Sequence, residues 1–126
     1  MNKNDCIKMI IETFPEYYEL YQQHIRDYGE VLLHVFIAEA INEPLFLILE
    51  QQSNAKLYCE IIEAMWKNGN AEVQNAVNVT ILERLSDAEA VWQEFGKNIS
   101  VDFKNYINSE VLVHNAMMAA VKKLSV

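Results

Sequence analysis

Two ionisable side chains lie in one of the most apolar stretches of the chain, where they could form a chemical site. The run VLLHVFIAEAI, residues 31–41, carries His34 and Glu39 among side chains that are apolar all round a helical wheel. On that wheel Glu39 falls between Val35 and Leu32, so we expect its carboxyl group to face the core. A buried carboxyl group is costly unless it is paired, and it can serve acid–base chemistry. Alternatively, Glu39 bonds another part of the fold and is purely structural.

Polar side chains also interrupt the apolar helical segment EVQNAVNVTILERL, residues 72–85. Gln74 and Asn78 fall within the apolar arc of this helix, whereas Glu83 falls on the opposite side. Because the polar groups divide between two faces, they do not converge on one site. We predict that Gln74 and Asn78 form interior hydrogen bonds that fix helix packing, and that Glu83 is solvated or pairs with a neighbouring helix.

The sequence contains none of the common motifs for metal binding, nucleophilic catalysis or phosphate binding. His24, His34 and His114 lie on separate segments, without a second His or Cys one helical turn away. There is no HExxH, no GxSxG and no glycine-rich phosphate loop. Cys6 and Cys59 are isolated, which predicts buried, inert thiols in a reducing compartment. We therefore predict a protein without a metal, a cofactor or enzymatic activity.

The charge of the chain is strongly acidic. The net charge is −8, from 10 basic and 18 acidic residues. Residues 1–69 hold 5 basic and 11 acidic side chains, whereas residues 70–126 hold 5 and 7. Such a surface repels phosphate backbones, so we expect no binding to nucleic acid. The same field would speed the encounter with a basic protein, although acidity can also serve only to keep a protein in solution.

A membrane location is not expected. Residues 31–50 are apolar, but they contain Glu39, Glu43 and Pro44, and each central carboxylate costs about 2.5–3.5 kcal/mol on insertion. Residues 1–15 lack the pattern of a signal peptide. We predict a cytoplasmic protein.

Helical periodicity runs through the whole chain, and no segment shows sustained period-two alternation. The predicted helices cover about 4–14, 15–29, 31–41, 44–52, 55–68, 71–85, 86–96 and 101–124. We expect a break or kink near Pro44 and a bend near Asn108 and Ser109. Asn70 is expected to cap the helix 71–85, and Ser86 and Glu89 to form a capping box at the start of the helix 86–96. The connections are short, which makes consecutive helices antiparallel neighbours. We predict a single all-α domain, residues 1–126, built as a compact bundle of six to eight helices packed as antiparallel hairpins, or as HEAT-like stacked hairpins.

The run GNAEVQNAVNVTILERL, residues 69–85, resembles a family of small uncharacterised all-helical, HEAT-like bacterial proteins found among candidate toxin-immunity proteins. The matching positions are Gly69, Asn70, Glu72, Val73, Asn75, Leu82, Glu83 and Leu85, and the likeness covers residues 30–97. The chain carries Ala38-Glu39-Ala40 where the family has a Gly-Asp-aromatic element. The resemblance implies an all-helical fold and an immunity role, and it brings no catalytic residues.

Three functional hypotheses follow. The first is a non-enzymatic binding protein, immunity or antitoxin-like, that masks a partner such as a basic toxin. Its expected contacts are Tyr17 and Tyr21 in the second helix and Glu60 and Glu63 in the segment 55–68. The second is a small-ligand sensor or enzyme, whose pocket would gather Glu39, His34, Asn78 and Trp66 or Trp92. The third is a structural homo-oligomer, for example a homodimer.

Overall fold

Seven helices and no strand make up the fold in the computed structural model, which describes all 126 residues. They are α1 (Lys3–Thr13), α2 (Tyr17–Tyr28), α3 (33–50), α4 (Lys56–Asn68), α5 (71–85), α6 (Glu89–Gly96) and α7 (101–114), and a 3-10 turn (Ala116–Met118) follows α7. The predicted all-α fold of six to eight helices is confirmed. The HEAT-like stacking of hairpins stays a prediction.

The third helix, α3, lies at the centre of the packing. Its first half packs against α5, and its second half packs against α6. From the side of α2, the rings of Tyr21 and His24 meet the ring of Phe36 nearly edge-on, with centroids 6.2 and 5.7 Å away. The pattern of apolar residues all round the wheel therefore correctly predicts a helix that is packed on more than one side.

Three helices contain a π-helical turn, in which a backbone N–H bonds the carbonyl group five residues earlier. The three turns are Ala38–Asn42 in α3, Ala76–Leu82 in α5 and Ile107–Val111 in α7. In α3 the Glu43 N–H donates to the carbonyl group of Ala38, directly before Pro44. The predicted irregularity near Pro44 is thus present, but the helix does not end there and continues to Glu50.

The hairpin between α4 and α5 depends on Gly69 and Asn70. The Asn70 side chain accepts a hydrogen bond from the N–H of Val73 at 3.0 Å, which confirms the predicted helix cap. A Cβ atom at Gly69 would collide with the carbonyl oxygen of Met65 and would lie 2.7 Å from Cγ1 of Val73. Only glycine allows the end of α4 and the start of α5 to approach this closely.

The predicted start of α6 is wrong. The helix begins at Glu89, with Ala88 at the N-cap position and no side-chain hydrogen bond there. Ser86 does not form the expected capping box, because its hydroxyl group donates instead to the carbonyl oxygen of Glu83 at 2.7 Å. Ser86 therefore extends the end of α5 and does not open α6.

The predicted end of the last helix, at residue 124, is also wrong. The helix ends at His114, because Asn115 adopts an extended conformation with φ −109° and ψ 106°. The Asn115 side chain then accepts a hydrogen bond from the N–H of Met117 at 3.0 Å, which starts the 3-10 turn. Lys122 consequently does not lie at a helix C-terminus, and its ammonium group lies 3.1 Å from the carboxylate of Glu89.

Residues 119–126, the C-terminal strap, contain no helix and lie against α6 and α7. The indole N–H of Trp92 donates to the carbonyl oxygen of Lys122 at 3.0 Å. The Asn108 side chain donates to the carbonyl oxygen of Leu124 at 2.9 Å and accepts from its N–H at 2.8 Å. Leu124 is itself buried, so the strap completes the core between the last two helices.

Both cysteines are free and buried, as predicted. Burial raises the pKa of the Cys6 thiol to about 12. Burial, aided by the negative charges of Glu63 and Glu60, raises the pKa of the Cys59 thiol to about 12 as well. Both groups are therefore neutral thiols, and weak nucleophiles, in the folded chain near neutral pH.

We expect a chromogenic disulfide reagent at about pH 8 to leave Cys6 and Cys59 unmodified in the folded chain and to modify both after unfolding in guanidinium chloride. Folding raises the pKa of both thiols because their neutral forms are buried. The stability that comes from this pKa difference is complete below the unfolded pKa and is lost as the pH rises through the folded pKa values. The free energy of unfolding should therefore fall between about pH 9 and 12. Denaturant unfolding at several pH values measures the fall, which should be smaller in a chain with Cys6→Ala and Cys59→Ala. Rapid labelling of the folded chain would contradict the prediction.

Candidate binding groove

The largest of the three main cavities is an open groove of about 700 Å³ between α5 and α7. Its lining comprises Asn78, Val79 and Glu83 from α5, Tyr106, Glu110, Val111 and His114 from α7, and Asn115, Ala116 and Met117 from the turn that follows. We call this cavity the α5–α7 groove.

Both walls of the α5–α7 groove contain a π-helical turn. Asn78 and Val79 lie in the π turn of α5, and Glu110 lies in that of α7. Hydrogen bonds in a π turn join residues five positions apart, so such residues come close to sharing one face of the helix. Asn78 and Glu83 are five positions apart and line the same groove. A regular helical wheel, with 3.6 residues per turn, places Asn78 and Glu83 on different faces of the helix.

Tyr106, on the α7 side of the groove, packs in a cluster of aromatic side chains. The ring of Tyr106 lies 5.2 Å from that of Trp66 and 6.3 Å from that of Phe103, between centroids. Trp66 also stacks on Phe103, with centroids 4.7 Å apart. The Asn78 amide donates to the Tyr106 hydroxyl at 3.1 Å, and this bond joins α5 to α7. The predicted hydrogen bond from Asn78 to a neighbouring helix is confirmed, but the residue is half-buried and lines the open groove, so its predicted interior position is wrong.

Gln74 also joins two helices, but it does so at the surface. Its side-chain amide donates to the carbonyl oxygen of Trp66 at 2.9 Å, and the residue is exposed. The interior position predicted for Gln74 is therefore wrong. Gln74 precedes the π turn of α5 and lies at the surface of the α4–α5 hairpin.

The charged groups of the α5–α7 groove are acidic. Half-buried Glu83 accepts a hydrogen bond from the Asn115 side-chain amide at 3.1 Å, which orients its carboxylate. Exposed Glu110 lies 3.6 Å from Nε2 of His114, beyond hydrogen-bond length and open to solvent. No lysine or arginine lines the groove. The carboxylates of Glu83 and Glu110 consequently have no cationic lysine or arginine partner within it.

Exposed apolar side chains border these carboxylates. Val79 is 44% exposed and Met117 is 83% exposed. A second cavity of about 310 Å³ adjoins the groove and shares Val79, Glu83 and Met117 with it. Arg84 lines that second cavity, but its guanidinium group is already held 3.3 Å from Asp87. The two cavities therefore adjoin along α5.

The pocket predicted around Glu39 is not among the three main cavities. Glu39 is exposed and lines none of the three main cavities. Its wheel neighbours Leu32 and Val35 are only half-buried, so the face that was expected to meet the core is the side of α3 nearest to solvent. The core-facing prediction for Glu39 is wrong.

His34 contacts α5 through a hydrogen bond. Its Nδ1 hydrogen-bonds to the hydroxyl of Thr80, whose carbonyl oxygen also accepts from the Asn42 side-chain amide at 2.9 Å. Asn42 is buried, and its Oδ1 has no partner within the chain. These polar side chains join α3 to α5, so the observed hydrogen bond of His34 is structural.

The tyrosines proposed as partner contacts lie elsewhere. The Tyr17 hydroxyl hydrogen-bonds to that of Tyr58, and burial together with this bond raises the pKa of Tyr58. Tyr21 is half-buried and lines a separate cavity of about 300 Å³ between α1 and α2. Neither side chain reaches the α5–α7 groove, and their contact with a partner stays a prediction.

The two glutamates proposed from α4 also differ from each other. Glu60 is exposed, with the ammonium group of Lys56 3.9 Å from its carboxylate. Glu63 is half-buried and accepts a hydrogen bond from the N–H of Ser100, the N-cap residue of α7. The observed role of Glu63 is to bond the start of α7, where a negative charge is stabilising.

Sequence reasoning missed the half of the groove that α7 supplies. The missed residues are Tyr106, Glu110, His114, Asn115 and Met117. Periodicity predicts helix as far as residue 124, so it places Asn115 and Met117 inside a helix and misses the turn that lines the groove. Asn115 was the available signal, since asparagine is favoured at caps and turns and disfavoured inside helices.

The fold and the groove define a small all-α protein with an open, acidic surface groove between two helices. The model of the family described as "Domain of unknown function (DUF7674)" matches residues 7–115, and the chain belongs to this family. No curated protein and no solved structure matched the chain. Membership of an uncharacterised family confirms part of the resemblance, whereas the link to toxin immunity stays a prediction. No helix combines the length and the apolar character needed to cross a membrane.

Proposed function

We propose that this chain is a non-enzymatic protein-binding module that masks a basic partner, as an immunity or antitoxin-like protein of the bacterial cytoplasm would. The α5–α7 groove carries the proposal, because it is an open surface on which apolar and acidic side chains lie side by side. Its occupant would be a segment of the partner.

The apolar side chains favour a protein partner. Val79 and Met117 stand at the junction of the groove and the adjoining cavity, and methionine adapts its shape to different partners. Burying such side chains against a partner removes apolar area from water. The open surface suits a peptide segment better than a compact ligand, which binds in an enclosed cavity.

The charge of the chain favours a basic partner. A net charge of −8 attracts a cationic protein over a distance set by salt, and so raises the rate of encounter. The carboxylates of Glu83 and Glu110 extend this negative potential into the groove. Masking would then follow from steric occlusion of the segment that the groove covers.

Affinity capture from the cell that makes the protein tests this proposal. A chain with Val79→Ser and Met117→Ser should lose the captured partner by at least about tenfold, because both side chains lie in the contact. The matched control carries Leu57→Ser and Val113→Ser, which alter side chains that are 50% and 64% exposed outside the groove. The control should retain the partner.

Three outcomes would contradict the proposal. The first is a partner that the groove variant still captures, and the second is the absence of any partner. The third concerns the mass in solution. If the native chain has twice the mass of one chain and the groove variant has the mass of one chain, the groove is a homodimer interface.

A further inference from the structure

We propose that the α5–α7 groove recognises one lysine or arginine side chain of its partner, with the cationic group held between Glu83 and Glu110. This inference rests on the proposed function, since it names the chemical group that the groove selects. It follows from the charges and the exposed apolar side chains of the groove.

The charges of the two walls select a cation. Glu83 lies on the α5 wall and Glu110 on the α7 wall. The lining contains no lysine or arginine, and its one histidine, His114, is 72% exposed. An anionic group would meet two carboxylates there, whereas an ammonium or guanidinium group would gain charge-assisted hydrogen bonds.

Glu83 is set to accept such bonds. The Asn115 amide donates to Oε1 of Glu83 and fixes the carboxylate. A carboxylate can accept about four hydrogen bonds, so other positions of Glu83 are available to a cation. Half-burial shields this carboxylate from water, so its bond to a cation is stronger than one made on an open surface. Glu110 is more exposed and can adjust its side chain to the length of a lysine or an arginine.

The rest of the lining matches the remainder of a basic side chain. Lysine and arginine carry an apolar stem that packs on apolar surface while the charged end stays with polar groups. Val79 and Met117 offer that apolar surface at the rim.

A divalent metal ion fits these residues less well. Calcium takes six to eight oxygen ligands, usually from several carboxylates. The chain contains no group of three or more His, Cys, Asp or Glu side chains that could hold a metal ion. The lining favours a single organic cation with an apolar stem.

A titration of the full-length ¹⁵N-labelled chain, followed by NMR, tests the inference. The probe is acetyl-Leu-Arg-Leu-amide, and the matched probe replaces arginine with citrulline, which has nearly the same shape and no charge. We expect the arginine peptide to shift the backbone signals of Asn78, Glu83 and Asn115. The citrulline peptide should bind about tenfold more weakly, because it lacks the charge.

Variants of the chain locate the effect. Glu83→Gln and Glu110→Gln should each weaken the arginine peptide about three- to tenfold and leave the citrulline peptide unchanged. The amide side chain introduced by Glu83→Gln retains an oxygen that can accept from Asn115, so the turn should persist. The control, with Glu43→Gln and Glu50→Gln, removes the same kind of charge from exposed positions outside the three cavities and should change neither affinity.

The outcomes separate this inference from the proposed function. Equal binding of the two peptides, signals that shift only around the α1–α2 cavity, or competition by calcium chloride at the two glutamates would each overturn the cation site. If capture of a partner still depends on Val79 and Met117 in that case, the protein-binding function stands. If the arginine peptide binds selectively but no partner is captured, the cation site stands and the masking function fails.

Discussion

Replacement of Trp92 by alanine is expected to lower the free energy of unfolding by about 3–5 kcal/mol, the range found for buried tryptophan and phenylalanine. Trp92 is 1% exposed, and its ring lies 6.0 Å from that of Phe95. Its indole N–H also holds the C-terminal strap through the carbonyl oxygen of Lys122. The substitution would therefore open a cavity and release the strap together. A domain of this size has a total stability of about 5–15 kcal/mol, so the loss is large.

Guanidinium unfolding followed by circular dichroism measures this loss without depending on tryptophan fluorescence. Trp92→Phe keeps most of the apolar volume but removes the N–H, so it should cost less than Trp92→Ala. Met117→Ala provides the surface control, since Met117 is 83% exposed and should change stability by less than about 0.5 kcal/mol. A loss below about 1 kcal/mol for Trp92→Ala would show that the strap and α6 do not depend on this side chain.

Replacement of Gly69 by alanine is expected to lower the free energy of unfolding by about 3 kcal/mol, the upper part of the usual range for overpacking. The new Cβ would meet the carbonyl oxygen of Met65, which is backbone, as well as the side chain of Val73. A flexible side chain could move away, but the Met65 carbonyl cannot do so without displacing the last turn of α4. The α4–α5 hairpin would have to open.

Gly29 gives a matched comparison, because it needs glycine for a different reason. Its φ is +74°, in the left-handed region, and a Cβ there would meet nothing within 4 Å. Gly29→Ala should therefore cost only about 1–2 kcal/mol, and Gly29→Asn still less, because asparagine tolerates this conformation. Thermal unfolding of the three variants gives the order. A Gly69→Ala chain as stable as Gly29→Asn would contradict the close approach of α4 and α5.

The helices were predictable from the sequence where local signals agree with one another. The segments predicted at 55–68 and 71–85 match α4 and α5 closely, since an amphipathic pattern, Gly69 and the Asn70 cap all indicate the same boundaries. The end of α7 was not predictable from periodicity, because the apolar residues continue past His114 while Asn115 turns the backbone.

The groove was harder to predict than the helices. A regular α-helix places residues five apart on different faces, so the helical wheel separates Asn78 from Glu83. The π turn of α5 brings both to the groove. The opposite wall could not be found locally, because Tyr106 lies 28 positions from Asn78 and reaches it only through tertiary packing.

The C-terminal strap has a practical consequence for the recombinant expression of this protein. The family match ends at residue 115, before the strap. A chain cut there would leave the Trp92 indole without its acceptor and uncover the surface on which Leu124 packs. Such a fragment would expose a tryptophan to neighbouring molecules and so would be prone to aggregate. Recombinant versions of this protein should therefore keep residues 116–126, and purification tags should follow Val126 and not replace it.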